Sequence, residues 1–180
     1  MEKSSYVVFS PSRTGSTLIT YNLQDYLRKI GYHHSEIQVI HTHDKDIVLP
    51  HNNFVCILSR RNVPHAILSS LVLEQTGEWA NYSNNPVAPF AVDPIKFQVL
   101  LNQHREFYEQ IDLTPYKKVI DIWFEPLVSD PTYLFQQIFG VNEQTNYYNN
   151  LISPYNNTKL ITNIEELKQV AIQNGFEEFE

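Results

Sequence analysis

Glycine is scarce: of five in 180 residues, only Gly15 stands between the first apolar run and the helical pattern that follows it. The three spaced glycines of a dinucleotide-binding turn are therefore absent. So is the Gly-Lys pair of a nucleoside-triphosphate loop, because no lysine precedes Ser16. The one cysteine, Cys56, excludes an intramolecular disulfide and fits a reducing compartment. A tyrosine-phosphatase loop is excluded as well, since Cys56 and Arg61 stand one residue too close and the residues between them are bulky. Within its apolar run Cys56 reads as a small core residue. No apolar run approaches the ~20 residues that span a bilayer, and no signal-type apolar core opens the chain. A cytoplasmic setting is expected, and the Asn-x-Ser/Thr matches at Asn81 and Asn156 read as chance.

Basic residues are outnumbered, 13 against 20, for a formal net charge of −7. A general nucleic-acid surface needs a basic face, so that class is disfavoured. Part of the acid lies at the C-terminal end, in Glu165, Glu166, Glu177, Glu178 and Glu180. The N-terminal third carries Arg13, Arg28, Lys29, Arg60 and Arg61 instead. A local positive site on an acidic protein suits a small anionic ligand better than a polymer.

The length suits one compact domain over 1–180. The pattern predicts strand 6–10, helix 16–30, strands 36–41 and 53–59, helix 63–75 and loop 76–92. Helix 94–110, strand 117–123, helix 131–139 and a last helix 164–173 follow. Alternation of strands and helices implies an α/β class with a mainly parallel sheet. The runs Tyr6–Phe9, Phe54–Leu58 and Val119–Ile122 are nearly all apolar, as strands buried on both faces are. Asp93-Pro94 and Asp130-Pro131 each place an acceptor before a proline at a helix start. Asn163 with Glu166 resembles a capping box.

The most informative stretch is Tyr6–Thr20, a strand, a tight polar loop and a helix start. Such a turn aims backbone N–H groups and the positive helix end at one point, where an anion fits. Arg13 adds a fixed cation, and Thr14, Ser16 and Thr17 add hydroxyls. A second basic element closes the strand ending Ser59-Arg60-Arg61-Asn62, followed by a helix with Ser69 and Ser70. A guanidinium there grips a phosphate bidentately. Two anion sites at one end of adjacent parallel strands suit a ligand with two separated phosphate-type groups. Solvated surface arginines are the plainer alternative for Arg60 and Arg61.

Pro11-Ser-Arg-Thr-Gly-Ser-Thr17 resembles the 5′-phosphosulfate loop of PAPS-dependent sulfotransferases, with one extra residue after the proline. Arg61-Asn-Val-Pro-His-Ala-Ile-Leu-Ser69 resembles that family's 3′-phosphate motif, with the proline one place late. Phe124-Glu-Pro-Leu-Val-Ser-Asp-Pro131, ending in Phe139-Gly-Val, is similar to its Tyr-Glu-Asp-Leu segment. His41-Thr-His43 resembles its Lys-Thr-His strand end. The resemblance covers residues ~6–141 in family order; the usual C-terminal Arg-Lys-Gly segment has no counterpart beyond Asn157-Thr158-Lys159.

The resemblance implies a three-layer sandwich of the P-loop-NTPase-like sulfotransferase fold. It implies sulfo transfer from PAPS (3′-phosphoadenosine 5′-phosphosulfate) to a hydroxyl or amine of a small-molecule or glycan acceptor, leaving PAP. Arg13, Thr14, Gly15, Ser16 and Thr17 are then expected on the 5′ group. Arg61 and Ser69 are expected on the 3′-phosphate, with Ser70 and Arg60 as weaker candidates. Phe124 is expected to stack on adenine or to pack in the core. His43 is the expected base, and His41 takes that role if the pair is out of register by two. The acceptor is expected under loop 76–92, against Trp79, Tyr82 or Phe90. No metal is required. Three rival readings remain: a nucleotide kinase or another phosphoryl-transfer enzyme of related fold, a non-catalytic PAPS- or PAP-binding module, and a metal site drawn from His33, His34, His41, His43, Asp44, Asp46 and His51.

Overall fold

The computed structural model describes residues 4–33, 35–47, 49, 54–77, 88–145 and 157–176. Trp79, Tyr82, His34, His51, Asn81 and Asn156 lie outside the described residues. The chain divides into two compact units, Met1–Arg61 with Gln110–Asn150, and Asn62–Glu109 with Leu151–Glu180.

The first unit holds β1 (Ser5–Phe9), α1 (Ser16–Lys29), β2 (Val39–Thr42), β3 (Phe54–Arg60), β4 (Lys118–Trp123), α4 (Phe124–Ser129) and α5 (Tyr133–Phe139). The sheet runs β2-β1-β3-β4 and every pairing is parallel. With helices around this sheet, the class is α/β. From β1 the chain moves outward to β2, and from β3 it moves the other way to β4. The reversal lies between β1 and β3, whose register aligns Phe9 with Leu58. In open parallel sheets, ligands bind outside the strand C-termini at such a reversal.

β1 and β3 are buried along nearly their whole length, with Val7, Val8, Cys56 and Ile57 at 0% exposure. That is the signature of central parallel strands. Burial pushes the Cys56 thiol up to about 12, as expected of an inert core cysteine. β4 departs from the expectation of burial on both faces. Among the described residues it pairs with β3 alone, at the end of the sheet, and Val119, Asp121 and Trp123 on one face are exposed. α1 buries Leu18, Ile19, Leu23 and Leu27, each stabilising by roughly 1.5–3 kcal/mol. Its buried polar side chains bond back along the helix, Thr20 Oγ1 to Ser16 O at 2.8 Å and Asn22 Nδ2 to Leu18 O at 2.9 Å. Tyr26 packs on Phe135 and Phe139 at 4.7 and 4.8 Å between ring centroids, which joins α1 to α5.

The second unit holds α2 (Val63–Thr76), α3 (Pro94–Gln110), α6 (Asn157–Leu160) and α7 (Ile164–Gln173). Ile67, Leu68, Leu71 and Val72 of α2 meet Phe97 and Leu101 of α3 and Leu167 and Ala171 of α7 in one buried cluster. Asp93 does cap α3, accepting from Ile95 N at 2.9 Å. The other two expected caps differ. Asp130 accepts from Thr132 N and Oγ1 in a local turn, and α5 starts at Tyr133 instead of Pro131. Asn163 forms no capping box: it accepts from Val92 N and donates to Val92 O, both at 2.9 Å, in the manner of a strand bridge.

Candidate functional site

The loop between β1 and α1 is shaped by two residues with positive φ, Arg13 at 66° and Gly15 at 87°. Ser12 and Thr14 between and before them are negative, so φ alternates in sign up to the helix. Such alternation turns successive N–H groups toward one side and makes an anion-binding concavity. An arginine in this region costs free energy that only a fixed surrounding sustains. The surroundings here are donors that hold the loop carbonyls. Thr14 Oγ1 donates to Pro11 O at 3.3 Å, Ser59 Oγ to Thr14 O at 2.8 Å and Arg61 Nη1 to Arg13 O at 3.1 Å. Thr14 and Ser59 are fully buried.

Helix α1 opens directly from this loop. Its N-cap is Gly15, with no side-chain cap hydrogen bond and no acidic residue in the first turn. No capping side chain and no carboxylate of its own first turn therefore offsets the positive helix end. The Phe124 ring closes one wall. A Cβ on Gly15 would lie 2.6 Å from Phe124 Cδ2, so glycine is needed here for space as well as for φ. The Arg61 guanidinium lies over the same ring, 4.4 Å from its centroid, a cation–π contact. Arg13, Thr14, Gly15, Arg61 and Phe124 are thus brought together, at the C-terminal ends of β1, β3 and β4.

Arg60 points elsewhere: its Nε pairs with Asp121 on β4. Ser69 belongs to the second unit, where it is buried on α2. Ser70 Oγ donates to Ala66 O at 3.1 Å. Asn62 caps α2 by accepting from His65 N at 3.2 Å. The late proline, Pro64, thereby falls in the first turn of α2, where a missing N–H breaks no helical bond.

His41 and His43 meet at the end of β1. The Ser10 hydroxyl lies 3.3 Å from His41 Nε2 and 3.3 Å from His43 Nδ1, and His43 Nδ1 lies 2.6 Å from Ser10 O. The two rings are 4.6 Å apart and nearly perpendicular. His41 is half-buried, and burial first, then the charge of His43, lowers its pKa. His43 is exposed. Sequence reasoning missed Ser10. The signal was the i, i+2 spacing of the histidines, which puts both on one side of an extended segment. Among the described residues no three His, Cys, Asp or Glu side chains are grouped to hold a metal ion, and no helix is long and apolar enough to cross a membrane.

Compared with protein-family models, curated proteins and solved structures, the chain matches none.

Proposed function

We propose that this chain is a sulfotransferase that moves a sulfo group from PAPS to a hydroxyl or amine of a small-molecule or glycan acceptor. One observation carries the reading: an uncapped helix behind a loop of alternating φ, with Arg13 in the loop and Arg61 beside it. PAPS has two anionic groups, and two cationic elements stand at the ends of adjacent strands. The resemblance of the Pro11–Thr17 and Arg61–Ser69 segments to the sulfotransferase motifs supplies the rest, including a three-layer fold of that family. A reducing, cytoplasmic setting suits the single buried thiol of Cys56.

In this reading the N–H groups of Thr14–Thr17 and Arg13 hold the 5′ group. They stabilise the charge that grows on its bridging oxygen as the S–O bond breaks, with donors fixed in advance. Arg13 acts by charge and hydrogen bonding, because a guanidinium with pKa above ~12 is a poor proton donor. Arg61 meets the 3′-phosphate. Phe124, already under Arg61, forms the floor near the adenine. His43 takes the acceptor proton.

Isothermal titration without magnesium tests the reading. PAP is expected to bind more tightly than 5′-AMP, and Arg61→Ala is expected to remove that difference. No heat with PAP at about 100 µM overturns the proposal, since that affinity is already modest. Binding of ATP that requires magnesium replaces it with a kinase. PAP binding with no sulfo transfer from labelled PAPS to any acceptor in a broad screen replaces it with a binding module.

A further inference from the structure

We infer that the backbone carbonyl of Ser10 holds His43 with its proton on Nδ1, so that Nε2 is the proton-accepting atom, and that the Ser10 hydroxyl in turn sets the tautomer of the neighbouring His41. The role in turnover rests on the sulfotransferase reading; the hydrogen-bond arrangement stands without it.

His43 Nδ1 lies in close hydrogen-bond contact with Ser10 O, at 2.6 Å. A carbonyl oxygen only accepts, so Nδ1 must carry the hydrogen. A neutral imidazole has one N–H, and Nε2 of His43 is then the lone-pair atom. The Ser10 hydroxyl oxygen, 3.3 Å from the same Nδ1, shares that hydrogen as a second, weaker acceptor. Its own hydrogen therefore cannot point to His43 and turns to His41 Nε2, 3.3 Å away. His41 suits this as a half-buried neutral ring, and among the described residues the group acting on it by charge is His43. A directed chain results, from His43 Nδ1–H to Ser10 Oγ and from Ser10 Oγ–H to His41 Nε2. His41 consequently also carries its hydrogen on Nδ1. Ser10 is itself fixed, with 0% exposure and its N–H on Thr42 O at 3.2 Å.

In turnover, the acceptor O–H gives its proton to His43 Nε2 while the acceptor oxygen forms the new O–S bond. The S–O bond to the PAPS phosphate breaks, and its electron pair stays on the phosphate oxygen of PAP. The imidazolium then has two N–H groups. Its Nδ1–H bond to Ser10 O becomes charge-assisted and stronger. His41, kept neutral, adds no repelling charge 4.6 Å away between ring centroids.

The experiment is two-bond 1H–15N correlation NMR on the whole protein with 15N-labelled histidine, at about pH 8, where imidazoles are neutral. Both His41 and His43 are expected as Nδ1–H tautomers. Ser10→Ala is expected to release His41 to the Nε2–H form while His43, held by the backbone carbonyl, keeps Nδ1–H. A wild-type His43 with its hydrogen on Nε2 overturns the inference. So does a His41 tautomer unmoved by Ser10→Ala. If that variant does not fold, the wild-type tautomers of both rings still decide. No nucleotide is present, so failed PAP binding rejects the sulfotransferase reading and leaves this result standing.

Discussion

Replacing Gly15 by alanine tests how tightly the loop, ring and guanidinium depend on one another. The backbone term is a non-glycine residue at φ 87°, which costs about 1–2 kcal/mol. The steric term is a Cβ placed 2.6 Å from Phe124 Cδ2, so the ring must move. Moving it disturbs the Arg61–Phe124 contact, worth about 0.5–1 kcal/mol. It also strains the Arg61 bond to Arg13 O, worth about 1 kcal/mol. The sum is about 3 kcal/mol. Gly140→Ala is the control: φ is 70°, and nothing lies within 4 Å of its Cβ position, so only the backbone term of about 1–2 kcal/mol applies. Urea denaturation of both variants measures the difference. Gly15→Ala is expected to cost about 1–2 kcal/mol more than the control, and Phe124→Leu in the Gly15→Ala background is expected to recover part of it. Equal costs for the two alanines, or strict additivity with Phe124→Leu, refute the coupling.

Other outcomes follow from the same geometry. His104 is 6% exposed, and among the described residues neither ring nitrogen has a hydrogen-bond partner; burial lowers its pKa from 6.5 to about 4. The folded pKa lies below the unfolded one, so the unfolded chain binds more protons and stability falls as pH drops from 6.5 toward 4. At about 1.4 kcal/mol per unit the loss is at most ~3.5 kcal/mol, and His104→Leu is expected to flatten that part of the stability–pH curve; an unchanged slope refutes it. Arg60→Ala removes a partly exposed pair with Asp121, and the loss of such a pair is expected to change stability by less than about 1 kcal/mol. PAP affinity by calorimetry should stay near wild type in Arg60→Ala, in contrast to Arg61→Ala. Cys56 is expected to resist a thiol-titrating disulfide in the native protein and to react on unfolding; rapid native labelling contradicts its burial.

The order of elements was legible because apolar runs and helical periods are local signals. Helices 94–110 and 164–173 are found as expected, and α1 ends one residue early. The edge position of β4 was not legible: whether Val119 and Trp123 are covered depends on neighbours, which composition does not encode. Helix α4 was also missed, because Pro126 reads as a breaker although it lies in the first turn, where no helical N–H is needed. Within the candidate site, the loop and Arg61 were readable from their residue types. The stack of Arg61 on Phe124 and the convergence of two histidines on Ser10 were not. They arise from the parallel register that sets the ends of β1, β2, β3 and β4 side by side.

The central claim is that the β1–α1 loop grips the 5′ group of PAPS while Arg61 takes the 3′-phosphate. A crystal structure of the PAP complex measures this directly. The account predicts the 5′-phosphate within hydrogen-bonding distance of the Thr14–Thr17 N–H groups, and the 3′-phosphate on the Arg61 guanidinium. PAP bound away from this loop, or with no phosphate on Arg61, contradicts it.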